Sequence, residues 1–493
     1  MESVSIMLKR FSRILLLMIL LEALLGDVTF AQEDVVWLEP VRLSDSNSEP
    51  AGPPAMTTDA AGNVHVIWDQ KPLDNGDISI RNVLFYTKWD GEGWSTPIDV
   101  LVSPDNANAV FPELVATDDD MLHAVWSTGG QTGAILYYSS APACCANEYA
   151  NWSQPKALSG SAFDSFAFVT DSRGYLHLAY STIDGKRIIY LISIDGGISW
   201  ENEIIIPGGT FADDEFAVYP RLSVDDTGRV HAAWTILPWP GRRIMYTRSD
   251  ASGTVWEEPR IIDSVDSGEY RPEYGPIYVD VETFGQDEVH LSWDGAPTIE
   301  RTHVWSQNGG QSWSWEEKLF PEVSSVGRAG FNDMVVDAEG TTHIVSIQGS
   351  GSPLYAQRLQ SVWSPSIVLD QSSLHPHHMR IALSNGNRIH IIWEEKGDAS
   401  PFSIRYVQGT TSAREIETRP LAVLAPPVES EPVTPPAPTP TLLPKPTAMP
   451  DWSRSQVPSK SDPTVAFLFA IPAVLVFVGL VVLIAYRSRV SLR

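Results

Sequence analysis

The sequence predicts an all-β chain folded as a seven-bladed β-propeller, with a six-bladed ring as the alternative, followed by one C-terminal transmembrane helix. Three observations carry the prediction. A histidine recurs in one register at positions 65, 123, 177, 231, 290, 343 and 390. The same short alternating runs return in the same order around each of these histidines, which is the signal of strands joined by turns. The last repeat is one run short, and the N-terminal region carries a matching run with no repeat of its own.

The N-terminal segment, 1–31, reads as a secretory signal. Lys9, Arg10 and Arg13 form its basic start, Ile14–Leu21 its apolar run, and Thr29 and Ala31 the small residues before cleavage. Next comes "VVWLEPVRL", Val35–Leu43, the run without a repeat.

The repeats follow, over 32–418. Each opens with a short strand, often begun by Pro, as in "FPELVATD" and "YPRLSVDD". A turn with Asp or Gly leads into apolar–His–apolar–x–Trp, as in "DDTGRVHAAW". A Tyr strand and a Trp strand close the unit, as in "IMYTRS" and "VWEEPRII". The histidine spacings are 58, 54, 54, 59, 53 and 47, a period that calls for one supersecondary unit per repeat. Four antiparallel strands per unit, repeated radially, make a propeller. The seventh unit stops after "SIRYVQG", so Val35–Leu43 is expected to pair with the strand around Ile404–Val407 and close the ring. Trp37 is then a core residue.

Beyond the repeats, 419–463 is rich in Pro, Thr, Ser and Val, and reads as an extended stalk. Val465–Tyr486 has 22 residues and no charge. At about 1.5 Å per residue it spans about 33 Å, enough for a bilayer core of about 30 Å. The predicted transmembrane helix, 464–486, is followed by a cytoplasmic tail, 487–493, bearing Arg487, Arg489 and Arg493. The folded part is expected outside the cell, on a single-pass anchor.

Composition narrows the function. Acids outnumber bases 61 to 34, a net charge of −27, which argues against a nucleic-acid binder. Two cysteines cannot build a disulfide scaffold; Cys144 and Cys145, adjacent in a second-unit insertion, are expected to brace their own hairpin. "NWS" at Asn151 is a lone glycosylation sequon. Neighbouring histidines of the column sit on packed sheets about 10 Å apart. Metal–nitrogen bonds are about 2 Å, so the column is expected to hydrogen-bond within the units rather than hold a metal. His375, His377 and His378 in "HPHHMR" are expected on an exposed loop. No cofactor and no metal are expected, and the chain is read as a monomer.

The turn between Tyr and Trp strands carries a resemblance. Residues 193–200, "SIDGGISW", match Ser-x-Asp-x-Gly-x-x-Trp, and 306–313, "SQNGGQSW", match with Asn308 in the Asp place. Residues 249–256, "SDASGTVW", keep Ser249, Gly253 and Trp256. These runs resemble the Asp-box of bacterial-neuraminidase repeats, and the folded part looks like the sialidase-like propeller superfamily. The resemblance implies that Ser193, Asp195, Gly197, Trp200, Ser306, Asn308, Gly310 and Trp313 are structural and lie away from the active face.

It also implies where to look for chemistry. Sialidases bind a sugar carboxylate with three arginines and use a Tyr nucleophile with a Glu partner and an Asp acid/base. A Phe/Tyr-Arg-Ile-Pro motif is not found here. On loops entering the first strands, Arg221, Arg271 and Arg380 are candidate carboxylate ligands, Tyr270 and Glu273 a candidate nucleophile pair, and Asp213 a candidate acid. Trp239, Tyr274 and Arg328 are candidate binding residues. The expectation is recognition of a glycan or an extracellular protein, with exo-sialidase-like hydrolysis as the alternative.

Overall fold

Alternating sequence becomes strand throughout the folded part of this computed structural model. It describes residues 35–44, 50–72, 81–130, 133–208, 215–237, 242–264, 276–294, 301–323, 332–348, 351–359, 361–373, 375–395 and 402–422. The expected signal segment, residues 423–463 of the expected stalk, Val465–Tyr486 and the expected tail lie outside the described residues. So do Asp213, Trp239, Tyr270, Arg271, Glu273, Tyr274 and Arg328. Among the described residues the elements are strands and two 3-10 turns, and no helix is long and apolar enough to cross a membrane.

Each repeat forms one antiparallel unit. Unit 1 is Ala51–Thr58, Val64–Gln70, Val83–Trp89 and Ile98–Leu101. Units 4 and 5 begin at Phe216–Val224 and Ile277–Phe284 and also have four strands each. Units 2 and 3 share the long strand Lys156–Thr170. Its start pairs with Ala134–Pro142 as the outer strand of unit 2, and its end pairs with Leu176–Thr182 as the first strand of unit 3. Unit 6 begins at Asp333–Val336, and unit 7 at Pro376–Ser384.

Among the described residues, hydrogen bonding leaves six separate sheets, units 2 and 3 being one sheet through that shared strand. What joins them is packing between first strands. In chain order each first strand lies against the next, and that of unit 7 lies against that of unit 1. The buried faces of first and second strands form the core, with Trp68, Trp126, Trp234, Trp293 and Trp393 of the second strands among its largest side chains.

The orphan N-terminal run supplies the outer strand of unit 7. Val36 pairs with Thr410 and Trp37 with Gly409; Val41 pairs with Tyr406 and Arg42 with Arg405. After the last strand the chain crosses the turn end of unit 1 to reach unit 2. The Arg419 backbone N–H donates to Ala60 O at 2.8 Å, and its guanidinium meets Asp120 at 2.7 Å. Arg419, expected to open the stalk, is thus bound to the folded part.

The histidine column explains why the units pack so alike. In six units His Nδ1 lies 2.6–2.8 Å from the Tyr hydroxyl of the next strand. In unit 5 the partner is His303 Nε2, at 3.0 Å. The other nitrogen meets the turn acid: His65 meets Asp59 at 2.9 Å, His231 Asp225 at 3.2 Å and His290 Glu288 at 3.0 Å. Thr117 and Ser384 take that place in units 2 and 7. Burial holds His123 and His303 down to about 4 and His390 to about 3, so these rings are neutral at pH 7.

On each relay ring lands an indole from the following unit. Trp152, Trp200, Trp256, Trp313, Trp363, Trp37 and Trp94 meet Tyr86, Tyr138, Tyr190, Tyr246, His303, Tyr355 and Tyr406. Centroids are 4.7–6.4 Å apart with planes at 73–88°. This edge-to-face arrangement suits the aromatic quadrupole. The N-terminal Trp37 fills the place that unit 7 would otherwise leave empty.

The Ser193–Trp200 hairpin shows why the turn reads as it does. Asp195 accepts from the Ser193 hydroxyl at 2.9 Å and the Ser199 backbone N–H at 2.8 Å. Gly197 has φ +84°, and a Cβ there would fall 1.9 Å from the Tyr138 hydroxyl of the preceding unit. Gly310 stands in the same way against Tyr246. The carboxylate of Asp195 is spent within its own hairpin. Cys144 and Cys145 form a disulfide in the corresponding unit 2 segment, and the Asn151 amide donates to Cys145 O at 2.9 Å.

Two outcomes follow for stability. Trp37 is half-buried rather than fully buried. Trp37→Ala should therefore lower unfolding free energy by about 2–3 kcal/mol, less than the ~3–5 of a core Trp, in urea denaturation. His123 has its pKa depressed from 6.5 to about 4, so its stabilisation is full above pH 6.5 and is lost as pH falls towards 4. The stability deficit of His123→Gln should accordingly shrink by about 2–3 kcal/mol between pH 7 and pH 4.5.

Candidate functional site at the strand-entry end

The first strands carry the site because most of them are kinked as they enter. Their pairing with the second strand slips between Val110 and Glu113, Val218 and Arg221, Ile277 and Asp280, and His377 and Arg380. A bulge of this kind re-aims side chains. Within the slips, Phe111, Tyr219, Tyr278 and His378 have φ of 51°, 56°, 55° and 46°. Such backbone costs of the order of 1–3 kcal/mol per residue and clusters at functional sites.

Just past the slips lies a layer of equivalent residues, each ten before its column histidine: Ala55, Glu113, Ala167, Arg221, Asp280, Asp333 and Arg380. Five are charged. Arg380 pairs with Glu113 across Ala55, whose methyl leaves room between them. Arg221 Nε is 3.8 Å from Asp280. The carboxylates also brace the neighbouring strands: Asp280 accepts from the Met334 N–H at 2.9 Å and Asp333 from the Ile381 N–H at 2.8 Å.

Crowding of acids shifts their protonation. Burial, then the charge of Asp333, raises Asp280 to about 7 against the pull of Arg221 and Arg380. Burial raises Asp333, and burial with Asp280 raises Glu282 well above the usual range. Burial pulls Arg380 down, but Glu113, Asp333 and Asp280 outweigh it and hold its charge firmly.

Above the layer is a cavity of ≈ 250 Å³. Phe111, Phe163, Phe166, Tyr219, Met379 and three prolines wall it, and Glu113, Asp164, Arg221, His378 and Arg380 add polar groups. A second cavity of ≈ 170 Å³ is lined by Asp280, Glu282 and Asp333 together with Arg221 and Arg380. Apolar walls with a few convergent polar groups make a small-ligand site. The Tyr219 and Tyr278 rings are 5.0 Å apart, and burial pushes Tyr278 up to about 12.

Of the residues singled out in the sequence, Arg221 and Arg380 come together here. They sit on first strands rather than on the loops before them. The "HPHHMR" segment is likewise no exposed loop: Pro376–Ser384 is a strand, and His378 Nδ1 meets the buried Glu394 at 2.7 Å. Sequence reasoning missed Glu113, Asp280, Asp333, Tyr219 and Tyr278. Their signal was the fixed offset, ten or twelve residues before each column histidine.

No protein-family model matches the chain, and no curated protein matches it. Among solved structures it is similar to a polysaccharide lyase of family PL25, an ulvan lyase bound to -[GlcA(1-4)Rha3S]-. Identity is 12%, TM-score 0.50, with 74% of this chain and 95% of that one covered. A protein of unknown function from Dyadobacter fermentans gives 13% identity and TM-score 0.46, over 76% and 99%. The NanB sialidase from Streptococcus pneumoniae gives 12% and 0.41, over 75% and 70%. The lyase likeness supports the all-β fold.

Arg380 ties together opposite charges that have lost much of their water. Arg380→Met should destabilise the protein by about 3 kcal/mol, read as a lower urea midpoint at pH 7, because the Glu113 carboxylate is left unpaired.

Proposed function

We propose that the chain is a seven-bladed β-propeller that recognises acidic glycans at the strand-entry cavity. One observation carries this reading: two arginines from different units line one cavity with aromatic and proline walls. Guanidinium forks match a sugar carboxylate or sulfate, and aromatic rings match the apolar faces of a pyranose. The glucuronate-bearing ligand of the ulvan lyase is of this class. The Asp-box assignment of the 193–200 and 306–313 hairpins belongs to this reading. So does display outside the cell on the stalk and the helix over 464–486.

The acids of the layer set when the arginines are available. Asp280 competes with a ligand for Arg221 while it is ionised. With its pKa raised to about 7, it becomes neutral below that pH and releases Arg221. Acidic-glycan affinity should therefore fall as pH rises through 7.

The alternative is hydrolysis of the same kind of ligand, with Arg271, Tyr270, Glu273 and Asp213 completing the constellation around Arg221 and Arg380. The convergence of the two described arginines favours keeping it. Release of a fluorescent aglycone from a sialoside or glucuronide by the purified protein would establish it, and binding without release supports recognition alone.

Calorimetric titration with glucuronate-terminated oligosaccharides at pH 6 and pH 8 tests the proposal. Tighter binding is expected at pH 6. Arg221→Met should weaken it about 10- to 100-fold, the loss of one charge-assisted contact of about 1.5–3 kcal/mol. Binding indifferent to Arg221→Met would refute the site.

A further inference from the structure

The Asp195-type hairpins are near copies, so a departure in one of them is informative. Around the box of unit 5 several positions differ from both units 3 and 4, three of them by gaining a Trp or a Gln. Trp305 stands where units 3 and 4 have Ile192 and Arg248, Gln307 where they have Ile194 and Asp250, and Trp315 where they have Asn202 and Glu258. Folding does not require these changes, because units 3 and 4 form the same hairpin without them. Trp315 is 93% exposed, an indole left in water beside a folded turn.

The residues leading up to it line a crevice of ≈ 320 Å³: Trp305, Gln307, Asn308, Ser312, Trp313 and Ser314. Every one of these side chains is uncharged. Arg358 lies 4.5 Å over the Trp305 ring, and Glu317 balances its charge at 3.3 Å. The Ser314 hydroxyl donates to Trp315 O at 2.9 Å and fixes the backbone that carries the exposed indole. The hairpin lies at the turn end of its unit, opposite the strand-entry cavity.

We propose that this hairpin is a second saccharide site, one for a neutral pyranose. An open indole face covers the C–H face of a sugar, and amides and hydroxyls at its edge exchange hydrogen bonds with sugar hydroxyls. An acidic sugar would find no cation in the crevice to neutralise it. The site differs from the strand-entry cavity in place and in ligand charge, and it stands whether or not that cavity binds acidic glycans.

The test is calorimetric titration of the full chain with cellohexaose, mannohexaose and xylohexaose. At least one should bind, and Trp315→Ala and Gln307→Ala should each weaken it tenfold or more while Arg221→Met leaves it unchanged. Trp315→Ala removes an exposed ring, and an unchanged melting temperature will show that folding is intact. If none of the three binds, or if binding survives Trp315→Ala, the proposal fails. Binding abolished by Arg221→Met but not by Trp315→Ala would assign the sugar to the strand-entry cavity and overturn it equally.

Discussion

The structure depends on one repeated contact, the indole of one unit seated edge-on against the hydrogen-bonded Tyr, or in unit 5 His303, of the unit before. The acid–histidine–tyrosine relay fixes the ring, and the Trp strand of the following unit covers it. Neither half works alone. Without the relay a buried phenol and imidazole would lack partners, and without the indole the relay would face water. Because the contact runs between units, it sets their spacing and adds up around the set. It also explains why the N-terminal strand must return to unit 7: Tyr355 needs Trp37 as Tyr138 needs Trp200.

That scaffold makes the charged layer affordable. Placing Arg221, Asp280, Asp333, Arg380 and Glu113 on neighbouring first strands brings five ionisable groups into a poorly hydrated space. The protein offsets the cost by pairing, by backbone N–H donation to Asp280 and Asp333, and by raising carboxylate pKa values. Alanines at 55 and 167 give the long arginine and glutamate side chains room. The positive-φ residues at the slips add strain that the surrounding sheets must absorb. A layer built in this way is poorly suited to stability alone, and well suited to a ligand that replaces one of its carboxylates.

Much of the scaffold was legible in the sequence because repetition amplifies weak signals. One His-x-x-Trp run says little, but five of them, with His177 and His343 in the same register, settle strand order, and a missing Trp strand with a spare one at the N-terminus settles the pairing of Val36 and Trp37. The site was less legible. Arg221 and Arg380 were found as loop arginines, whereas the slips in strand pairing place them inside. Nothing local to Asp280 and Asp333 marks them, because their burial depends on packing between different units. Aligning the repeats on the histidine and asking which offset accumulates charge would have exposed the layer.

The most direct test of the account is a structure of the protein with a glucuronate-containing trisaccharide, determined below pH 7. The account predicts the sugar carboxylate on Arg221 and Arg380, with Asp280 or Glu113 displaced and a pyranose ring against the Tyr219–Phe163 wall. A trisaccharide bound away from both arginines, with the Arg380–Glu113 pair intact, would contradict it.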